Sequence, residues 1–232
     1  MKLFLGIIIS LTTFLSWSME ITYSVSMSKP QNHYFEVEMA LSNLNQKSLV
    51  LRLPVWAPGS YLVREFSKNI NLVKAFDDKG KEIKVEKLSK NAWQINTTGI
   101  KSIKIRYEVY SFELSVRTSF LDLTHAYISG SGIFMYVDNN KNVKGTLRIF
   151  PYETFKRINT ALPLAPLEMQ KNASQTFLFE NYDQLLDCPI EIGNQDVFEF
   201  MAAGVKHTVA MYGDANYSVS ALKMDMAKII ES

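Results

Sequence analysis

Apolar and polar residues alternate along much of the chain. In the clearest case, residues 103–110, the odd-numbered positions are all apolar or aromatic, and three of the four even-numbered positions are charged. A period of two places one face of a strand in the core and the other in water. Further strands are predicted at residues 20–27, 33–41, 48–53, 72–76, 83–88, 92–96, 143–150 and 176–179.

Turn signals separate these short strands at intervals of roughly ten residues. The strongest lies at residues 77–80, with the sequence DDKG, because glycine readily adopts the positive φ that tight hairpin turns require. Repeated short strands with such turns are typical of two packed antiparallel sheets. The sequence therefore predicts a mainly β protein, with an antiparallel β-sandwich over residues 19–180.

The pattern changes beyond residue 180. Residues 182–186 resemble one helical turn, and residues 197–203 and 205–212 predict a hairpin around Gly204. Near the C-terminus, apolar residues recur at the spacing i, i+4, i+7 and i+8, which defines one stripe of an amphipathic helix. The residues of this stripe are Leu222, Met226, Ile229 and Ile230. Since such a stripe needs a packing partner, we expect residues 181–232 to begin a second structural unit.

The N-terminus has the layout of a secretory signal peptide. Lys2 is followed by an apolar run over residues 3–15 and by small residues at Ser16 and Ser18. The run is too short to cross a bilayer comfortably. We expect residues 1–18 to be removed on export to the periplasm or the extracellular space, which leaves no membrane segment. A retained anchor is the alternative.

The composition is that of an ordinary globular domain, with 47% hydrophobic and 21% charged residues. A formal net charge of +2 provides no electrostatic basis for binding nucleic acid. Cys188 is the only cysteine, so an intramolecular disulfide is excluded. The stability of the domain must therefore come from its core.

The residue patterns of familiar catalytic chemistry are missing from this sequence. His33, His125 and His207 do not have the spacing of the H-E-x-x-H helix of zinc hydrolases, in which two histidines lie one turn apart. Residues 130–132 (GSG) lack both the G-x-S-x-G turn of serine hydrolases and the lysine of a phosphate-binding loop, and we interpret them as a turn. We predict neither a catalytic residue nor a metal site in this chain.

Residues 53–66, with the sequence LPVWAPGSYLVREF, form the most unusual stretch, which we call the aromatic loop. Pro54 and Pro58 restrict φ and remove backbone donors, and Gly59 directly after Pro58 favours a tight turn. The loop should therefore be rigid, and it is more apolar than an ordinary surface loop. Such a loop can be a packing corner or a recognition surface, and composition alone does not choose between them. Its candidate recognition residues are Trp56, Tyr61, Arg64 and Glu65.

The aromatic loop also carries a resemblance to a known family. Residues 53–61 (LPVWAPGSY) and 63–66 (VREF) are similar to the P-x-W-x-P-G-S-Y…R-E-F signature of the glycyl aminopeptidase family of zinc metallopeptidases. Weaker similarities follow in the same order at residues 107–110, 114–118, 127–134, 187–193 and 205–209. The resemblance covers essentially the whole chain after the predicted signal peptide.

In that family, a β-sandwich precedes a thermolysin-like zinc domain of the gluzincin type, which contains the H-E-x-x-H motif. The resemblance implies that residues 19–180 are the N-terminal domain, and that residues 181–232 are the opening hairpin and helix of a truncated thermolysin-like domain. It implies zinc as the cofactor of full-length members, with none held by this chain. It also implies a peptide substrate, and a catalytic domain that packs on the hairpin and helix.

Two functions remain open from the sequence. The first is the non-catalytic N-terminal portion of an exported zinc metallo-aminopeptidase, inactive alone, whose aromatic loop walls the substrate cleft. The alternative is a free-standing exported β-sandwich that binds a peptide or a protein without catalysis. A free module should bury the apolar stripe of its C-terminal helix against its own sheet.

Overall fold

The computed structural model describes residues 18–57, 59–170 and 174–232. The predicted signal peptide lies outside the described residues except for Ser18, so its removal stays a prediction. Within the described part of the chain, no helix is both long enough and apolar enough to cross a membrane.

The strands, in chain order, are β1 (Glu20–Ser26), β2 (Tyr34–Ser42), β3 (Ser48–Arg52), β4 (Ile70–Asp77), β5 (Glu82–Ile83), β6 (Val85–Ser89), β7 (Ala92–Asn96), β8 (Ile103–Tyr110), β9 (Phe120–Leu121), β10 (Ala126–Ile128), β11 (Tyr136–Val137), β12 (Gly145–Phe150), β13 (Arg157–Thr160), β14 (Gln175–Phe179), β15 (Ile190–Gly193), β16 (Asp196–Ala202) and β17 (Val205–Met211). The α-helices are α1 (Gly130–Ile133), α2 (Tyr182–Asp187) and α3 (Val219–Glu231). Short 3₁₀ turns occur at Pro30–Asn32, Phe66–Asn69 and Leu167–Met169.

The largest sheet among the described strands has the order β14-β12-β1-β2-β8-β4-β5. Two smaller sheets, β13-β15-β10-β9 and β11-β3-β7-β6, accompany it, and β16 pairs with β17. The predicted mainly β, antiparallel architecture is confirmed. One described pair differs, because β1 and β12 run parallel. Gly145 permits this pairing, since a Cβ there would overlap the carbonyl oxygen of Ile21.

The alternation that predicted the strands also locates the core. The odd-numbered side chains of β8 are each at most 2% exposed, whereas Lys104 and Arg106 between them face water. Tyr23 and Phe35 from the same sheet join Leu51 from the β3 sheet in one hydrophobic cluster. Full burial of such a side chain contributes about 1.5–3 kcal/mol. The sheets therefore share a single core.

Three buried tyrosines stabilise the segment that follows α1. The hydroxyls of Tyr23, Tyr107 and Tyr182 donate to the three backbone carbonyls of residues 133–135 at distances of 2.5–2.9 Å. Each buried carbonyl left without a partner would cost about 1–3 kcal/mol. The segment is thus fixed deep in the core, which the sequence pattern did not predict.

The predicted turn at residues 130–132 is instead the start of the buried one-turn helix α1. The physical reason is close packing: a Cβ on Gly130 would lie only 3.0 Å from the backbone of Leu185 and Leu186 in α2. Glycine therefore allows two backbone segments to approach each other here.

Residues 196–232, which we call the C-terminal segment, contain the predicted hairpin and helix. Ala203 and Gly204, which join β16 to β17, both have positive φ, as a tight hairpin turn requires. Ser218 caps α3, because its Oγ accepts a hydrogen bond from the backbone N–H of Ala221 at 3.4 Å.

The apolar stripe of α3 is poorly covered. α3 packs on β16, where Nζ of Lys223 lies 5.8 Å from the ring centre of Phe198. No side chain of α3 is buried, and Ile229 and Ile230 are 74% and 40% exposed. The segment folds without burying the stripe against the sandwich.

Candidate functional site

The aromatic loop is anchored at both ends by buried residues. Leu53, directly after β3, is fully buried, and Phe66, which begins a 3₁₀ turn, is 7% exposed. Leu53 also exchanges hydrogen bonds with Asn91: its N–H donates to the Asn91 carbonyl at 3.0 Å, and the Asn91 amide donates to its carbonyl at 2.8 Å. These anchors fix where the loop leaves the sandwich and where it returns.

Ser60 organises the interior of the aromatic loop. It is only 6% exposed, and its carbonyl accepts a hydrogen bond from the indole Nε1 of Trp56 at 2.5 Å. Its Oγ accepts from the N–H of Leu62 at 3.3 Å and from Nε of Arg64 at 3.4 Å. The N–H of Arg64 also donates to the carbonyl of Val55 at 2.6 Å, which closes the loop. The polar groups of the loop are therefore largely satisfied within the loop itself.

The apolar side chains of the same loop face outward. Tyr61 is fully exposed, Val63 and Leu62 are 77% and 62% exposed, and Trp56 is 50% exposed. Contiguous exposed apolar side chains on a soluble domain mark an interaction surface more often than a chance feature. The predicted candidates Trp56 and Tyr61 thus lie together on this exposed surface.

The two charged candidates point to different partners. Arg64 is half-buried and turns back towards Ser60. Glu65 is exposed, and its Oε1 lies 2.7 Å from Nζ of Lys90. The hydrogen bond and the positive charge of Lys90 lower the pKa of Glu65. The structure places both residues at the base of the loop, so their proposed contact with substrate stays a prediction.

A second polar cluster lies where the β16–β17 hairpin joins the sandwich. His125 is 3% exposed and stacks on Tyr212, with ring centres 3.6 Å apart and an angle of 16° between the planes. Its Nε2 lies 3.9 Å from Oε1 of Glu191 on β15. Tyr127 lies directly opposite Glu191 in the β10–β15 pair. Strand register therefore places Tyr127 and Glu191 side by side on one face of the small sheet.

Burial sets the protonation of this cluster. It raises the pKa of Glu191 to about 7 and lowers the pKa of His125, against the opposing effect of the Asp122 carboxylate. Burial and the nearby Glu191 raise the pKa of Tyr127. Oε1 of Glu191 is buried and has no hydrogen-bond partner among the described residues. Because burial penalises charge on both His125 and Glu191, we describe them as a neutral pair rather than an ion pair.

Sequence reasoning did not identify this pair, since the two residues lie far apart in the chain. His125 has neither a metal-binding nor a nucleophile-activating spacing, and Glu191 entered only through the family similarity at residues 187–193. The local pattern gave no signal, because an acid between Ile190 and Ile192 shows the same alternation as the water-facing positions of β8.

The described residues contain no group of three or more histidine, cysteine, aspartate or glutamate side chains that could hold a metal ion. Within the aromatic loop, the described residues do not pair a nucleophile with a general base. The chemistry that this surface offers is therefore contact and orientation.

Two solved structures have a similar architecture. An aminopeptidase N family protein from Idiomarina loihiensis is 30% identical and superposes with a TM-score of 0.83, covering 91% of this chain and 35% of that one. A variant of an M1 zinc metallopeptidase from Deinococcus radiodurans is 10% identical, with a TM-score of 0.50 and coverage of 91% and 51%, and this likeness shows the fold alone. The chain thus spans about a third of the Idiomarina protein and about half of the Deinococcus protein.

The fold therefore falls in the class of peptidase N-terminal domains. The family model described as the peptidase M61 N-terminal domain matches residues 22–194, which is most of the chain. The chain belongs to this family. The resemblance recognised from the aromatic loop is confirmed at this level. A search of curated proteins gave no match.

Proposed function

We propose that this chain is the non-catalytic N-terminal portion of an exported zinc metallo-aminopeptidase of the glycyl aminopeptidase type, and that the aromatic loop walls its substrate cleft. The observation that carries the proposal is the construction of the loop. Its polar groups bond to one another through Ser60, while Trp56 and Tyr61 are exposed. A loop that is already ordered loses little conformational entropy when it binds a ligand.

The candidate residues have distinct proposed roles. Trp56 and Tyr61 supply flat apolar surface against the peptide, which limits how much of it the cleft admits. Arg64 and Glu65 supply opposite charges at the base of the loop, suited to engaging a charged end of a short peptide. The same proposal includes the substrate, which is a peptide with glycine or alanine favoured at its N-terminus.

Zinc and the general base would belong to a separate catalytic domain, because the described residues offer no set of metal ligands. We propose that this domain packs on the hairpin and on α3. The support is the apolar surface that these elements leave exposed, with Met201 at 61%, Val205 at 58% and Ile229 at 74%. Docking there would place the catalytic domain beside the sandwich.

A chimera with the Idiomarina protein tests the cleft wall. Residues 19–194 replace the corresponding domain, and cleavage of glycyl and alanyl peptides is followed. Tyr61→Ala and Arg64→Ala should each lower kcat/KM about tenfold, mainly through KM, because they remove substrate contacts rather than chemistry. Leu88→Ala is the control, since Leu88 is 51% exposed on β6 outside the loop. Unchanged turnover in both loop variants would remove the cleft-wall role.

The wider proposal has independent tests. The gene should continue in frame beyond the codon for Ser232 into a segment that encodes H-E-x-x-H. The 232-residue chain alone should show no zinc-dependent peptide cleavage, and the mature protein should begin at residue 19. A peptide-binding chain without any zinc-peptidase continuation would favour the free-standing binding module.

A further inference from the structure

A second loop is built in the same way as the aromatic loop. In residues 113–118, which we call the second loop, Oγ1 of Thr118 donates to the carbonyl of Glu113 at 2.6 Å. Oγ of Ser115 lies 2.7 Å from the same Oγ1 and accepts the N–H of Arg117 at 3.2 Å. A serine thus satisfies the polar groups of this loop from within, as Ser60 does in the aromatic loop.

The apolar side chains of the second loop are also exposed. Leu114 is 63% exposed and Val116 is 82% exposed. The hydrogen bonds within this loop do not involve these two side chains, so neither is needed for its shape. Their exposure on a preorganised backbone is the feature that the two loops share.

The two loops leave the fold at neighbouring points. The last residue of the aromatic loop and the residue after the second loop both pack against Gly132 in α1: a Cβ at Gly132 would lie 3.7 Å from the ring of Phe66 and 4.0 Å from Oγ of Ser119. Oγ of Ser119 also accepts the N–H of Ser129, just before α1, at 3.0 Å. The buried helix α1 is therefore a common base for both loops.

We propose that the second loop forms a second apolar lip beside the aromatic loop, and that the two lips together take up a short peptide that carries apolar side chains. This inference rests on the proposed cleft-wall function. The hydroxyls of Ser60, Ser115 and Thr118 are used within the loops, so the uncharged side chains presented to a ligand include Tyr61, Leu62, Leu114 and Val116. An apolar ligand matches that surface better than a polar one.

NMR titration of the isotope-labelled chain with the tripeptide Ala-Leu-Leu tests the proposal, with Ala-Ser-Ser as the matched polar peptide. Amide signals of both loops should shift together and saturate, and Ala-Ser-Ser should bind at least fivefold more weakly. Val116→Ser should weaken Ala-Leu-Leu binding about fivefold. Leu88→Ser, an equivalent change at an exposed site on β6, should leave binding unchanged. Unchanged melting temperatures would show that both variants are folded.

The outcomes separate this inference from the proposed function. If only the aromatic loop responds and Val116→Ser binds like the wild type, the second lip is wrong and the cleft wall stands. If neither loop responds, both proposals are contradicted. If the two peptides bind equally well, the apolar ligand class is wrong.

Discussion

The sandwich and the C-terminal segment, residues 196–232, cover their apolar residues very differently. In the sandwich, inward-facing side chains such as Leu51 and Phe35 are completely buried. In the C-terminal segment, Phe198 and Ala202 are the only buried residues, although its hairpin and helix are regular. Local signals therefore suffice to shape a hairpin and a capped helix, whereas stability depends on the shared core. The C-terminal segment should open well below the free energy of global unfolding.

Deleting the same side chain in each region tests this difference most strongly. Leu51→Ala should lower the free energy of unfolding by about 2–5 kcal/mol, because it leaves a cavity in the core. Leu222→Ala in the half-buried stripe of α3 should cost about 1 kcal/mol or less, since little contact is lost. Urea unfolding of both variants, with unchanged m-values, measures the two costs. Equal costs would show that α3 belongs to the same cooperative unit.

Removing a single hydroxyl sharpens the comparison. Tyr107 OH donates to the carbonyl of Ile133 at 2.9 Å and accepts the N–H of Met135 at 3.2 Å, all in the core. Tyr107→Phe should cost about 1–3 kcal/mol, because two buried backbone groups lose their partner. Tyr217→Phe removes the hydrogen bond to Asp196, which is 3.0 Å long and exposed, and should change stability by less than about 0.5 kcal/mol. Chemical denaturation would rank the two variants, and a reversed order would contradict the comparison.

These contrasts also show which features of the fold can be predicted from the sequence. Period-two alternation assigned the buried face of β8 correctly because it is a local property of the strand. It could not reveal that β1 and β12 pair in parallel, or that Tyr107 supports a distant backbone segment, because periodicity identifies a face and not a partner.

The aromatic loop was only partly predictable for the same reason. Proline and glycine indicated a rigid turn, and aromatic residues indicated a surface. The central role of Ser60 follows from hydroxyl geometry that composition does not encode. The second loop went unnoticed as a neighbour because only α1, buried between distant segments, brings the two loops together.

The neutral pair lies at the junction between the two regions. Removing His125 and removing Glu191 should change the pH dependence of stability in opposite directions. In His125→Phe, Glu191 remains with a pKa raised to about 7 by burial, so its stabilising contribution is present below its ordinary pKa of 4.5 and is lost as the pH rises through about 7. In Glu191→Gln, His125 remains with a pKa lowered from 6.5, so stability is lost as the pH falls below that value. The two effects oppose each other in the wild type.

Thermal unfolding midpoints between about pH 5 and pH 8 measure these slopes, since linkage converts bound protons into stability. Tyr212→Phe is the control, because it keeps the ring stacked on His125 and removes neither titrating group. It should retain the pH profile of the wild type. Slopes of the same sign in the two pair variants would contradict the neutral-pair description.

The two helix caps separate local from global stability, and one of them should give the smallest global effect. Asn181 caps α2, accepting the N–H of Gln184 at 2.8 Å, and Ser218 caps α3 in the same way. Asn181→Ala should lower the global unfolding free energy by about 0.5–2 kcal/mol, because α2 contributes the buried Tyr182 and Leu185 to the core. Ser218→Ala should leave the global midpoint unchanged and instead increase hydrogen exchange within α3 several-fold, since that helix can fray alone. If Ser218→Ala shifted the global midpoint as much as Asn181→Ala, the exposed stripe of α3 would be coupled to the sandwich core after all, and the hairpin and helix would have to be regarded as part of it.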